Sequence, residues 1–115
     1  MVALGPASVV VIPFPFSDLS DTKLRPAVVM ADVGRGDWLL CQVTSNPYSD
    51  PDAIRITSKD LQKGALTSVV SFARPIKLFT ANESVMVKRV AVLKDEIFTA
   101  ILTATIESLR ENMPK

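Results

Sequence analysis

The chain has 115 residues, of which 48% are hydrophobic and 22% charged, and 13 Lys and Arg stand against 12 Asp and Glu for a formal net charge of +1. One domain with one core is what that length supports, and so small a net charge excludes the global positive field of a bulk nucleic-acid binder. No histidine and a single cysteine exclude a zinc shell within one chain, a Ser-His-Asp or Cys-His apparatus and an internal disulfide.

Gly34 and Gly36 are followed by neither the glycine nor the lysine of a phosphate loop. Any catalysis is therefore expected to need no metal, nucleotide cofactor or imidazole. One cysteine fits a reducing compartment. No apolar run approaches the length of a membrane span, and the amino terminus lacks a basic segment followed by an apolar one. These features predict a soluble, cytoplasmic, single-domain protein over residues 1–115.

In chain order, "SVVVI" (8–12) reads as a buried strand bounded by prolines. "PFPFSDLSDTK" (13–23) reads as an exposed loop pinned by Phe14 and Phe16. "PAVVMA" (26–31) and "DWLLCQVTS" (37–45) are the next strands, followed by loop 46–52 and the short strand "AIRI" (53–56). "SKDLQKG" (58–64) suggests one helical turn capped by Ser58 and stopped by Gly64. "LTSVVSFA" (66–73) and "SVMVKRVAVL" (84–93) supply further strands. The period then changes. Ile97, Phe98, Ile101, Leu102, Ile106 and Leu109 form a stripe at helical spacing, with Asp95 and Glu96 at the favoured end for anions and Arg110 at that for cations. A small barrel over about 8–93 with an amphipathic helix over about 95–111 is the expected architecture.

A two-residue turn at Gly34-Arg35 suits a type II′ hairpin and makes paired residue numbers sum to 69. Arg25 then faces Thr44 across the second and third strands, on one face of the sheet. Leu39, Cys41 and Val43 face a core, while Gln42 and Thr44 line the other side. Arg25 offers a fork of donors suited to phosphate, and Thr44 a hydroxyl that donates or accepts. The pair suits a phosphodiester; the plainer alternative is a rim arginine beside an ordinary strand threonine.

"VVIPFPFSDLSDTKLRPAVVM", "DWLLCQVTS" and "SFARPIKLFT", in that order, resemble the PemK/MazF toxins of toxin–antitoxin modules. The resemblance runs from about Val9 to Leu93 and implies an SH3-like small β-barrel of the PemK/MazF/CcdB kind, mainly β with a C-terminal helix, acting as a homodimer. It further implies metal-independent cleavage of single-stranded RNA by 2′-hydroxyl attack, with Arg25 and Thr44 at the catalytic positions, and a cognate antitoxin that blocks the RNA groove. Ser45 and Ser71 are candidates to support that pair, and Lys23, Tyr48, Arg74 and Lys77 to bind RNA.

Three departures stand out: Ser71 where some relatives carry an acid, "RPIK" with Ile76 where many read "RPDK", and Pro6 after Gly5. Ser71 and Ile76 keep open a degenerate toxin that binds RNA or antitoxin without cleaving, and the fold shared with the related CcdB toxins keeps open a non-catalytic inhibitor of DNA gyrase. Trp38 is expected in packing and Cys41 in the core.

Overall fold

The computed structural model describes residues 4–15 and 22–115. Seven strands, β1 (Ser8–Pro15), β2 (Thr22–Gly34), β3 (Asp37–Thr44), β4 (Ile54–Ile56), β5 (Leu61–Gly64), β6 (Ser71–Asn82) and β7 (Lys88–Leu93), precede helix α1 (Asp95–Arg110). They form one antiparallel sheet in the order β4-β6-β3-β2-β1-β7-β5. Its two edges, β4 and β5, are joined by residues 57–60 alone. A connection that short brings opposite edges together only if the sheet curls, so the architecture is the small half-barrel with a C-terminal helix that the sequence led us to expect.

Both faces of the sheet are packed. Val9, Val28, Cys41, Val43 and Ala73 point into a core completed by Ile97, Phe98, Ile101 and Leu102 of α1. Val10, Ile12, Ala27, Val29 and Leu40 point into a second core with Trp38 and Met86. This is the period-2 alternation of a strand whose two sides are both covered. Trp38 and Cys41 are buried, as expected. Among the described residues no helix is long and apolar enough to cross a membrane.

The prolines explain where the ladders end. The carbonyl of Val11 accepts from Val87 N–H on the β7 side, so Val11 and its opposite number Pro26 form a non-hydrogen-bonded pair. The missing N–H of Pro26 therefore faces β3, and the β2–β3 ladder stops one residue earlier, at Ala27↔Gln42. Pro13 and Pro15 share the parity of Val11 and point toward β7, whose ladder with β1 stops at Val11↔Lys88. They cost no ladder bond there, and β1 continues to Pro15, paired with Thr22. Residues 13–15 and 22–23 of the loop expected over 13–23 are thus in strands; its residues 16–21, with Phe16, lie outside the described residues.

Other expectations are corrected. The hairpin turn is Arg35-Gly36, closed by Gly34↔Asp37. Both central residues have positive φ, 56° and 80°, as a type I′ turn requires. The helical turn is a 3₁₀ turn at Ser58–Asp60 capped by Thr57, after which β5 begins. Gly64 is no helix stop; it holds φ +86° in β5, where a Cβ would collide with the Val90 carbonyl. The strand expected over 66–73 starts only at Ser71 and runs on to Asn82, and the one expected over 84–93 starts at Lys88. On α1, Ile106 and Leu109 are exposed, while Thr105 and Ser108 are buried in their place. Thr105 Oγ1 lies 2.9 Å from the carbonyl oxygens of Pro75 and Ile101, so the small residues are where the helix touches β6.

Candidate active site

The expected register sum of 69 holds for Ala27↔Gln42, Val28↔Cys41 and Val29↔Leu40. Two irregularities, between Val29 and Ala31 and between Asp32 and Gly34, shift the strands back into it after a turn that starts one residue later than expected. Continued past the last pair, that register sets Arg25 against Thr44. Both share a face with Ala27 and Gln42, because alternate residues of a strand point the same way. Pro26 leaves the two strand ends unladdered at this level, so the arginine and the threonine flank a parting in the sheet.

The two groups differ in access. Arg25 is half-buried, with Ile12 opposite it on β1. Thr44 is only 6% exposed, and its Oγ1 accepts the N–H of Asn46 at 3.1 Å. That bond closes the chain into the following turn and leaves the hydroxyl proton to donate.

Beside this pair lies a second Arg-Pro step. Ala73 pairs with Val43 and Leu78 with Cys41, so Arg74, Pro75, Ile76 and Lys77 stand opposite Gln42 alone. Such a crowded bulge needs holding. Cys41 Sγ donates to the Arg74 carbonyl at 3.0 Å, and Thr105 holds the Pro75 carbonyl. The Arg74 guanidinium donates to Asp50 Oδ2 at 3.2 Å and to Gln42 Oε1 at 3.4 Å. It also lies 5.7 Å from the centre of the Tyr48 ring, within range of a cation–π contact. Burial pushes the Cys41 thiol up to about 12, so it is a packed, protonated donor and no nucleophile.

Loop 46–52 is built to hold Tyr48. Asn46 Oδ1 accepts Tyr48 N–H, Asp50 N–H reaches the Pro47 carbonyl, and Asp52 N–H reaches Asp50 Oδ1. Tyr48 and Ser49 both occupy the left-handed region, with φ 53° and 62°. The ring is 62% exposed.

The structure thus brings Arg25, Thr44, Tyr48 and Arg74 to one end of one face. Lys23 joins them, exposed on β2 two residues before Arg25. Ser45 is exposed at the end of β3, on the opposite parity to Thr44. Lys77 is exposed in the bulge. Ser71 is not brought in. It is 3% exposed and shares a face with Ala73, on the helix-covered side. Asp50 and Gln42 are the partners that sequence reasoning did not single out; they lie 24 and 32 residues from Arg74, and no local pattern links them.

No protein-family model matches the sequence, and no curated protein is similar to it in sequence. Solved structures are similar in fold. A mycobacterial endoribonuclease in complex with its cognate antitoxin superposes with a TM-score of 0.68 at 14% identity, covering 99% of this chain and 100% of that one. MazF from Deinococcus radiodurans gives 0.70 at 16% identity, covering 96% and 99%. The MazE–MazF complex of the same organism gives 0.70 at 15%, covering 94% and 96%. The chain has the MazF-like fold.

Proposed function

We propose that this chain is the toxin of a toxin–antitoxin module, a cytoplasmic, metal-independent endoribonuclease that cleaves single-stranded RNA. The observation that carries the reading is the register that ends at Ala27↔Gln42, which, continued two residues, sets Arg25 against Thr44 on one face of the sheet, in a fold shared with solved endoribonucleases. The 2′-oxygen attacks the adjacent phosphorus, the bond from phosphorus to the 5′-oxygen breaks, and the products are a 2′,3′-cyclic phosphate and a 5′-hydroxyl. The proton lost by the 2′-hydroxyl is balanced by the one the leaving 5′-oxygen takes up. Arg25 neutralises the charge that builds on the phosphoryl oxygens and hydrogen-bonds to the leaving 5′-oxygen, while water takes the 2′-hydroxyl proton and returns one to that oxygen. A guanidinium carries N–H donors and no acceptor, so Arg25 acts as donor and not as base. Thr44 donates its hydroxyl proton to the same phosphate.

Lys23, Lys77 and Arg74 add positive charge around the strand end, Tyr48 offers a ring to a base, and Ser45 stands beside the pair. The antitoxin binds as an acidic segment over this groove, and two copies of the chain assemble into the working unit. A second reading rests on the burial of Thr44. If its hydroxyl serves only the turn to Asn46, the chain binds RNA without cleaving it.

Cleavage of a long single-stranded RNA by purified protein in excess EDTA, with end-group analysis, tests the proposal. Cyclic phosphate ends, lost in Arg25→Ala and Thr44→Ala, are the expected result. No cleavage in any condition would overturn it.

A further inference from the structure

The register of the sheet continues the Arg25–Thr44 level across two more strands. Thr44 pairs with Phe72 of β6, and Phe72 pairs with Arg55 of β4. Residues directly opposite one another point to the same face, so Arg25, Thr44, Phe72 and Arg55 form one cross-strand row. At a strand spacing of ~4.8 Å, the two laddered steps from Thr44 to Arg55 span roughly 10 Å, with Arg25 beyond Thr44 across the parting.

The far end of the row is prepared for an anion. Arg55 lines a depression of about 460 Å³ together with Thr57, Ser58, Lys59 and Val70. Arg55 and Lys59 are both exposed, and neither takes part in a salt bridge among the described residues. One carboxylate, Asp60, also lines the depression, and its Oδ2 is engaged by the backbone N–H and the hydroxyl of Thr57. Phe72, half-buried between the two cation-bearing ends, gives the row an aromatic surface. Alternating cations and an aromatic ring along a sheet is the arrangement that single-stranded nucleic acid favours, backbone on charge and base on ring.

From this row we infer that single-stranded RNA continues from Arg25 and Thr44 across Phe72 to a distal phosphate site formed by Arg55 and Lys59. The inference rests on the endoribonuclease reading. It adds a subsite that holds the strand away from the reacting phosphate, so that Arg55 and Lys59 bind substrate and touch no reacting atom.

The test is direct binding and cleavage with two RNA lengths, a long strand and a short one spanning only the cut, in wild-type protein, Arg55→Ala, Arg55→Lys and Arg55→Ala/Lys59→Ala. A single-strand phosphate contact contributes about −0.7 to the slope of log affinity against log salt, so the double variant, which loses the one distal contact, should bind the long RNA with a slope shallower by about 0.7. KM for the long RNA should rise while kcat stays, the short RNA should be cleaved as by wild type, and Arg55→Lys should keep the wild-type slope. Wild-type slope and KM in the double variant would overturn the distal site and leave the endoribonuclease reading standing. Wild-type protein that neither binds nor cleaves RNA would overturn both.

Discussion

Two Arg-Pro steps occur in this chain, and the fold uses them differently. Arg25-Pro26 lies in a regular strand, where Pro26 ends the β2–β3 ladder and Arg25 stands level with Thr44 at the parting. Arg74-Pro75 lies in a bulge whose carbonyls are held by Cys41 and Thr105 and whose guanidinium is held by Asp50 and Gln42. The same dipeptide is in one place a break that opens a sheet and in the other a bulge that is clamped shut. A motif read from sequence does not by itself say what its backbone does in the sheet. Neighbours distant in the chain decide that.

The comparison makes graded predictions. The largest effect is expected for Arg25→Ala: RNA cleavage should fall about 10²–10³-fold, as when one preorganised donor to a developing oxyanion is removed. Arg25→Lys should be nearly as poor, because the planar fork is lost. Arg74→Lys should retain most activity. Cleavage rates in EDTA, with circular dichroism to confirm folding, decide between the two arginines; equal losses at both would break the distinction.

Thr44→Val comes next. If the hydroxyl serves the phosphate, cleavage should drop at least ~10-fold, beyond the ~1 kcal/mol of stability expected for the lost bond to Asn46. A stability loss with unchanged cleavage would reduce Thr44 to a turn-closing residue.

The Arg74–Asp50 pair should couple by ~0.5–1 kcal/mol in a double-mutant cycle of urea unfolding, because both side chains keep some contact with water, at 21% and 14% exposure. Asp50→Ala should also raise KM for RNA more than it lowers kcat, through loosening of the Tyr48 loop.

The smallest effect at neutral pH belongs to Cys41. Burial raises its thiol pKa from 9.0 to about 12. Between those values the native state keeps a proton that the unfolded chain has released, so the thiol's contribution to stability is full below pH ~9 and is lost as pH rises toward about 12. Unfolding followed across that window should show a falling limb that Cys41→Ala flattens. Native protein at pH 8 should resist thiol alkylation.

Some of this was legible in the sequence for definite reasons. The level placement of Arg25 and Thr44 follows from the hairpin arithmetic, even though the turn itself is Arg35-Gly36 and not Gly34-Arg35. Two bulges in β2 compensate for the displaced turn, and no local signal announces them. The first half of α1 is legible because Ile97, Phe98, Ile101 and Leu102 repeat at helical spacing and all pack inward. Its second half departs from the stripe where Thr105 meets the Pro75 carbonyl, a contact 30 residues away. Strand β6 was the hardest element. Its proline and two charges at 74–77 read as a break, yet pairing with β3 resumes at Leu78 because the four residues are accommodated opposite Gln42.

The sequence alone determined the class of the fold and the absence of imidazole and disulfide chemistry, and it nominated two residues for a phosphodiester. These follow from periodicity, composition and the chemistry of side chains, which are local. The two cores, where one was expected, the sequence did not show. Tertiary structure decided that Ser71 faces away from Thr44, that Arg74 is bound to Asp50, and that Arg55 closes a row begun by Arg25. Those follow from strand register across β2, β3, β6 and β4, and register is fixed by which backbone N–H groups find partners far along the chain.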